Sequence, residues 1–179
     1  MTFVALLRAI NLAGHNPVAM SALREMVSGL GFSDVRTLLQ SGNVIFHAET
    51  RNAKKLESLL EKEAKIKLGL ATDFFVRSAK DWKILIERNP FPEEAKRNPA
   101  RLVAMFLKDP PSAHSIAELK ASIQGREIVS IEGKEAYLVY PDGIGRSRLT
   151  NAIIETRLGT RGTGRNWNTV MKVAILAQT

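Results

Sequence analysis

Arg8, Asn11, His15 and Asn16 follow an apolar run at 3–7, and Gln40, Ser41 and Asn43 stand in a second short polar stretch. These residue types supply amide and hydroxyl donors and acceptors, one permanent cation and one imidazole. Neither stretch holds Asp or Glu, so a general acid–base pair or a hard-cation site would lack its carboxylate. The set is better equipped to bind than to catalyse, with Arg8, Asn11, His15, Gln40, Ser41 and Asn43 as ligand-binding candidates. The competing reading is structural: Asn and Gly in turns commonly serve backbone geometry.

A second constellation lies near the C-terminus, in GIGRSR at 143–148 and GTRGTGRN at 159–166. Glycine lets backbone N–H groups turn toward one point, a helix start adds partial positive charge, and arginine adds forked donors. Arg146, Ser147, Arg148, Arg161, Arg165 and Asn166 are therefore anion-binding candidates, with Ser147 and Asn166 as expected N-caps. Over 143–179 the cations are Arg146, Arg148, Arg157, Arg161, Arg165 and Lys172, against Glu155 alone. The bland alternative is a solvated basic face around turns. No nucleotide motif is complete: Gly133-Lys134 is followed by Glu135, and the first stretch lacks the last Gly of GxGxxG.

Other chemistry is poorly supplied. There is no Cys, and His15, His47 and His114 have no ligand spacing, so no metal site, cofactor or catalytic residue is assigned. Neither Ser41 nor Ser147 lies in a GxSxG elbow. The start of the chain does not read as a signal peptide, and no apolar run approaches a membrane span. The expected location is cytoplasmic, with no membrane partner.

The elements that must position these residues follow from periodicity. The first half reads as strand 3–8, a helix on Leu23, Met26, Val27 and Leu30, strands 35–39 and 44–46 around a tight hairpin, a helix from Leu56 to Leu68, strand 73–77, and a short helix carrying Trp82, Leu85 and Ile86. After Pro90, Pro92 and Pro99 the order restarts with strand 102–107, a helix near Ile116–Ile123, strands 127–131 and 136–140, a helix at 149–156, the Gly-rich 159–165 in the place of a fourth strand, and a last helix on Trp167, Val170 and Met171. The fold class is α+β, with two tandem βαββαβ units: 1–90, a linker over 91–98, and 99–179. Such a unit makes a four-stranded antiparallel sheet, with the loop after its first strand and its central hairpin at one sheet edge. That edge would bring residues 11–16 to 40–43.

The stretch LLRAINLAGHNPVAMSALREMVSGLGF, the hairpin LQSGNVIF and the C-terminal RNWNTVMKVAILA resemble the bacterial domain-of-unknown-function family 1697. The resemblance implies two ferredoxin-like subdomains and no established activity. Ala9 and Ala13 stand where that family usually has Gly, and Pro17 and Ala19 where Lys and Pro are frequent.

With 26 Lys+Arg against 18 Asp+Glu, the net charge is +8 and the pI about 10.0. Basic charge on a βαββαβ unit favours a binding module for an anionic partner: a nucleotide, a phosphorylated metabolite or RNA. Against RNA, the expected central strands offer only Phe46, Tyr137 and Tyr140 for stacking. An enzyme acting on a phosphorylated or acidic small molecule is the alternative, and a protein–protein adaptor the second. The oligomeric state is not readable from the sequence.

Overall fold

A computed structural model of the chain describes residues 1–9, 17–50 and 52–178. The first four strands, β1 (Thr2–Leu7), β2 (Ser33–Leu38), β3 (Asn43–His47) and β4 (Phe74–Ser78), form an antiparallel sheet in the order β2-β3-β1-β4. Strands β5 (Leu102–Leu107), β6 (Ile128–Glu132), β7 (Glu135–Val139) and β8 (Gly162–Asn166) repeat it as β6-β7-β5-β8. This is the α+β fold of two tandem ferredoxin-like subdomains that the element order predicts. The compact units are 1–86 with 172–179, and 87–171. Residues 91–98 contain a short helix, α4 (Pro92–Arg97). Pro92 stands at its start, where no N–H is needed.

In the first unit α1 (Met20–Ser28) and α2 (Ala53–Leu68) cover one sheet face, and α3 (Ala79–Glu87) follows β4. Phe3, Ala5 and Leu7 of β1 pack with Leu23, Val27, Leu56 and Leu60 in that core. In the second unit α5 (Ala113–Ala121) and α6 (Asn151–Leu158) do the same, with Val103, Met105 and Leu107 packed against Leu119, Ile154 and Leu158. The last helix, α7 (Trp167–Gln178), follows β8. Trp82 and Trp167 are both buried.

Central strands β1 and β5 are buried on both sides, so they read as unbroken apolar runs rather than alternating ones. The residues facing away from the helices include Val4, Leu6, Ile45, Phe75, Leu102, Ala104 and Phe106, all buried.

The two units share devices that the amino-acid letters hide. Edge-strand N–H groups are capped by helix glutamates: Phe74 and Val76 donate to Glu61 and Glu57 of α2 at 3.0 and 2.9 Å, and Gly162 donates to Glu155 of α6 at 2.8 Å. Capping an edge removes a template for unwanted strand pairing. Arg77 pairs in register with Val4, and Arg165 with Ala104, the same place in each sheet. Each guanidinium donates to the carbonyl of the preceding residue, at 3.0 and 2.9 Å.

Candidate functional site

At the β1 end of the first sheet the Leu7 N–H donates to the Gly42 carbonyl at 2.9 Å, so the strand terminus and the 40–43 hairpin share an edge. Arg8 continues from that bond; its N–H donates to the Asp73 carbonyl, and its own carbonyl accepts from the Thr72 hydroxyl at 2.6 Å. Asn11, His15 and Asn16 lie outside the described residues. Asn43 is fully buried, and its Nδ2 donates to the Leu38 carbonyl at 2.7 Å and to Ser41 Oγ at 3.1 Å. These Asn43 and Ser41 bonds close the hairpin on itself, which is a structural use of both side chains. Gln40 stands exposed in the same turn.

The C-terminal candidates do not form one cluster. Arg165 lies in β8 opposite Ala104, on the sheet face away from α5 and α6. It is buried, and its guanidinium donates to Thr163 Oγ1 at 2.9 Å. Burial lowers its pKa to about 10. Arg161 is exposed just before β8, and its carbonyl accepts from the Lys108 N–H at 2.9 Å. Arg146 ends a short 3-10 turn, Ile144–Arg146, close enough to Asp142 to help hold that carboxyl low, after the dominant hydrogen bond from Arg126.

Asn166 is the cap expected of it: its Oδ1 accepts from the Thr169 N–H at 3.0 Å at the start of α7. Ser147 is not an N-cap. That role belongs to Thr150, whose side chain accepts from the Ile153 N–H. Ser147 instead accepts from the Leu149 N–H at 2.9 Å and donates to the Glu127 carboxylate. Gly162 and Gly164 are strand residues rather than loop residues. A Cβ on Gly162 would lie 2.6 Å from Met105 Cε and 3.2 Å from the Phe106 carbonyl, and one on Gly164 3.1 Å from Val103 Cγ1. Close packing inside the sheet accounts for both glycines.

Of the six anion candidates, only Arg148 lines the cleft of about 640 Å³ that lies in the second unit against α5 and α6. Its apolar wall includes Ile123, Leu149, Ala152 and Ile153, and its charged groups are Arg148, Arg157, Glu118 and Glu127. The carboxylates have partners: Glu118 lies 3.6 Å from His114, and Glu127 accepts from Ser147. The guanidinium groups of Arg148 and Arg157 are exposed and make no hydrogen bond or ion pair among the described residues. Arg157 was visible in the sequence only as part of the basic count. The signal that could have found it is its spacing from Leu149 and Ile153, eight and four residues back on one helix face.

Base-stacking surface is scarce. Phe46 and Tyr140 belong to the two helix-side cores, and the Tyr140 hydroxyl donates to the Leu149 carbonyl at 3.2 Å. Tyr137 is buried beside Trp167, with ring centres 6.5 Å apart. Among the described residues no group of three or more His, Cys, Asp or Glu is placed to hold a metal ion, and no helix is long and apolar enough to cross a membrane.

The family model described as "Protein of unknown function (DUF1697)" matches residues 1–137. The chain belongs to the DUF1697 family. A solved structure with a similar fold is that of conserved bacterial protein SP0830 from Streptococcus pneumoniae, 22% identical over 98% of each chain with a TM-score of 0.77. At that identity the likeness speaks for the fold alone. No curated protein matches the chain.

The DUF1697 match includes β1, the 40–43 hairpin and the α5 side of the cleft, and stops before Arg148 and α6. Ala9 takes φ +49°, a left-handed conformation natural to Gly, the residue that the family resemblance implies at this position.

Proposed function

We propose that the chain binds an anionic small molecule, such as a nucleotide or phosphorylated metabolite, in the α5–α6 cleft. The observation that carries this reading is the state of the cleft's donors: the guanidinium groups of Arg148 and Arg157 make no hydrogen bond or ion pair among the described residues, whereas Glu127 accepts from Ser147 and Glu118 lies 3.6 Å from His114. The strongest donors left to meet a ligand are therefore the two guanidinium groups. The volume falls within the range of small-molecule sites, about 300–1,000 Å³, and the apolar wall suits the body of such a ligand. Burial of Phe46, Tyr137 and Tyr140 leaves RNA recognition by base stacking with little support.

Titration calorimetry with inorganic phosphate, sugar phosphates and nucleotides at low salt tests it. A hydrogen bond to a charged group contributes about 1.5–3 kcal/mol, so Arg148→Ala and Arg157→Ala should each weaken binding roughly 10- to 100-fold. Silence toward every one of these anions, with the protein folded, would reject the reading.

Glu127 favours an enzyme on the same ligand as the second reading, because Ser147 orients its carboxylate inside the cleft. Phosphorus NMR of a bound phosphate ester would separate turnover, lost in Glu127→Gln, from binding alone.

A further inference from the structure

We infer that the cleft takes an elongated ligand with an anionic group at each end, an inference that rests on the anion-binding reading above. Arg148 and Arg157 stand at opposite ends of α6. Arg148 precedes the N-cap Thr150 by two residues, and Arg157 is the penultimate residue of the helix. At a rise of about 1.5 Å per residue, the helix from Thr150 to Arg157 alone spans roughly 10 Å, with Arg148 a further two residues beyond it.

The cleft is otherwise lined mainly by apolar side chains, with Ser122, Gln124 and Thr156 as its neutral polar ones. Leu149, Ala152 and Ile153 recur at helical spacing, Ile123 lines the same cleft, and Ile153 is 40% exposed there. A single phosphate drawn to the middle would meet the cleft wall, where the Ser122 and Thr156 hydroxyls already donate to the Leu119 and Ala152 carbonyls at 2.8 Å, and both guanidinium groups would have to stretch inward. At either end it would meet one arginine and leave the other idle. A ligand with two anions engages both, and its body covers Ile123, Ala152 and Ile153.

The carboxylates fit this division. Glu127 accepts from Ser147, the residue before Arg148, and so stands at the Arg148 end, while Glu118 lines the cleft from α5. The ligand class is thus an α,ω-dianion, a bisphosphate or dicarboxylate with a mainly apolar linker.

Three probes on the full chain test this by titration calorimetry: hexane-1,6-diyl bisphosphate, hexyl phosphate with the same body and one anion, and propane-1,3-diyl bisphosphate with both anions on a shorter body. The long bisphosphate should bind at least about ten-fold tighter than either comparison probe, as two joined contacts act together. Arg148→Gln and Arg157→Gln should each erase that advantage and leave the long bisphosphate and hexyl phosphate alike. Both positions are exposed, so circular dichroism should show folded variants. Hexyl phosphate binding within two-fold of the long bisphosphate would overturn the two-ended ligand while leaving the anion cleft standing. Equal affinity for the short and long bisphosphates would overturn the spacing. If none of the three binds, both readings fall together.

Discussion

Asn43 donates through Nδ2 to the Leu38 carbonyl at 2.7 Å, joining the two residues that are also the last register pair of the β2–β3 hairpin. The side chain is fully buried. Asn43→Ala removes this bond and the one to Ser41, and should cost about 1–3 kcal/mol in urea unfolding. Anion affinity at the α5–α6 cleft should be unchanged. Wild-type stability with lost anion binding would instead make Asn43 a functional residue.

Tyr137 and Tyr140 are the chain's two tyrosines. Burial, followed by Glu135 and Glu132 for Tyr137 and by Glu127 for Tyr140, pushes both phenols up to about 12. An acid raised in the folded state contributes stability that is whole below its unfolded pKa, about 10, and is lost as pH rises toward the folded value. Arg165, lowered to about 10 by burial, works the other way over the same window, since the unfolded chain keeps that proton longer. At about pH 11 the two phenolic protons outweigh the one guanidinium proton, so stability should fall by about 1.4 kcal/mol per pH unit. Phenolate absorbance should stay low in the folded protein at about pH 10.5 and appear in urea near pH 10. A tyrosine ionising near pH 10 in the folded chain would contradict its burial.

Ala9 and Leu39 adopt φ +49° and +60°, a region that costs a side-chain-bearing residue about 1–2 kcal/mol. Part of that gain is offset by the greater freedom of Gly in the unfolded chain. Ala9→Gly should therefore stabilise by about 0.5–1 kcal/mol, raising Tm by roughly 1–4 °C. Leu39, exposed in the hairpin, should respond similarly to Gly. A lower Tm for both variants would show that the strain is not relieved by removing Cβ.

Gly162→Ala should cost about 1–3 kcal/mol, because Met105 can swing its terminal methyl aside but the Phe106 carbonyl is backbone. Gly145→Ala is the control: nothing lies within 4 Å of its added Cβ, and its effect should stay within about 0.5 kcal/mol. Equal tolerance of the two substitutions in thermal unfolding would remove the packing role assigned to Gly162.

The N-cap positions show how far local chemistry carries. Ser147, Thr150 and Asn166 are all good cap residues by type. Asn166 is used as one, whereas Thr150 takes the position expected for Ser147 because Ser147 turns to Glu127, twenty residues earlier. A preference within a few residues cannot register a competitor that distant in the chain.

Amino-acid order by itself determined the two rounds of strand and helix, the apolar helix faces that bury Leu23, Leu56 and Leu119, and the sheet edge shared by β1 and the 40–43 hairpin. These follow from periodicity and turn chemistry, which are written locally. Tertiary structure decided which arginines line the α5–α6 cleft. Strand register turns Arg165 away from α5 and α6 and buries it, and helix phase puts Arg157 on the cleft with Arg148. A one-residue change of register reverses a side chain's face, and no count of basic residues contains that parity.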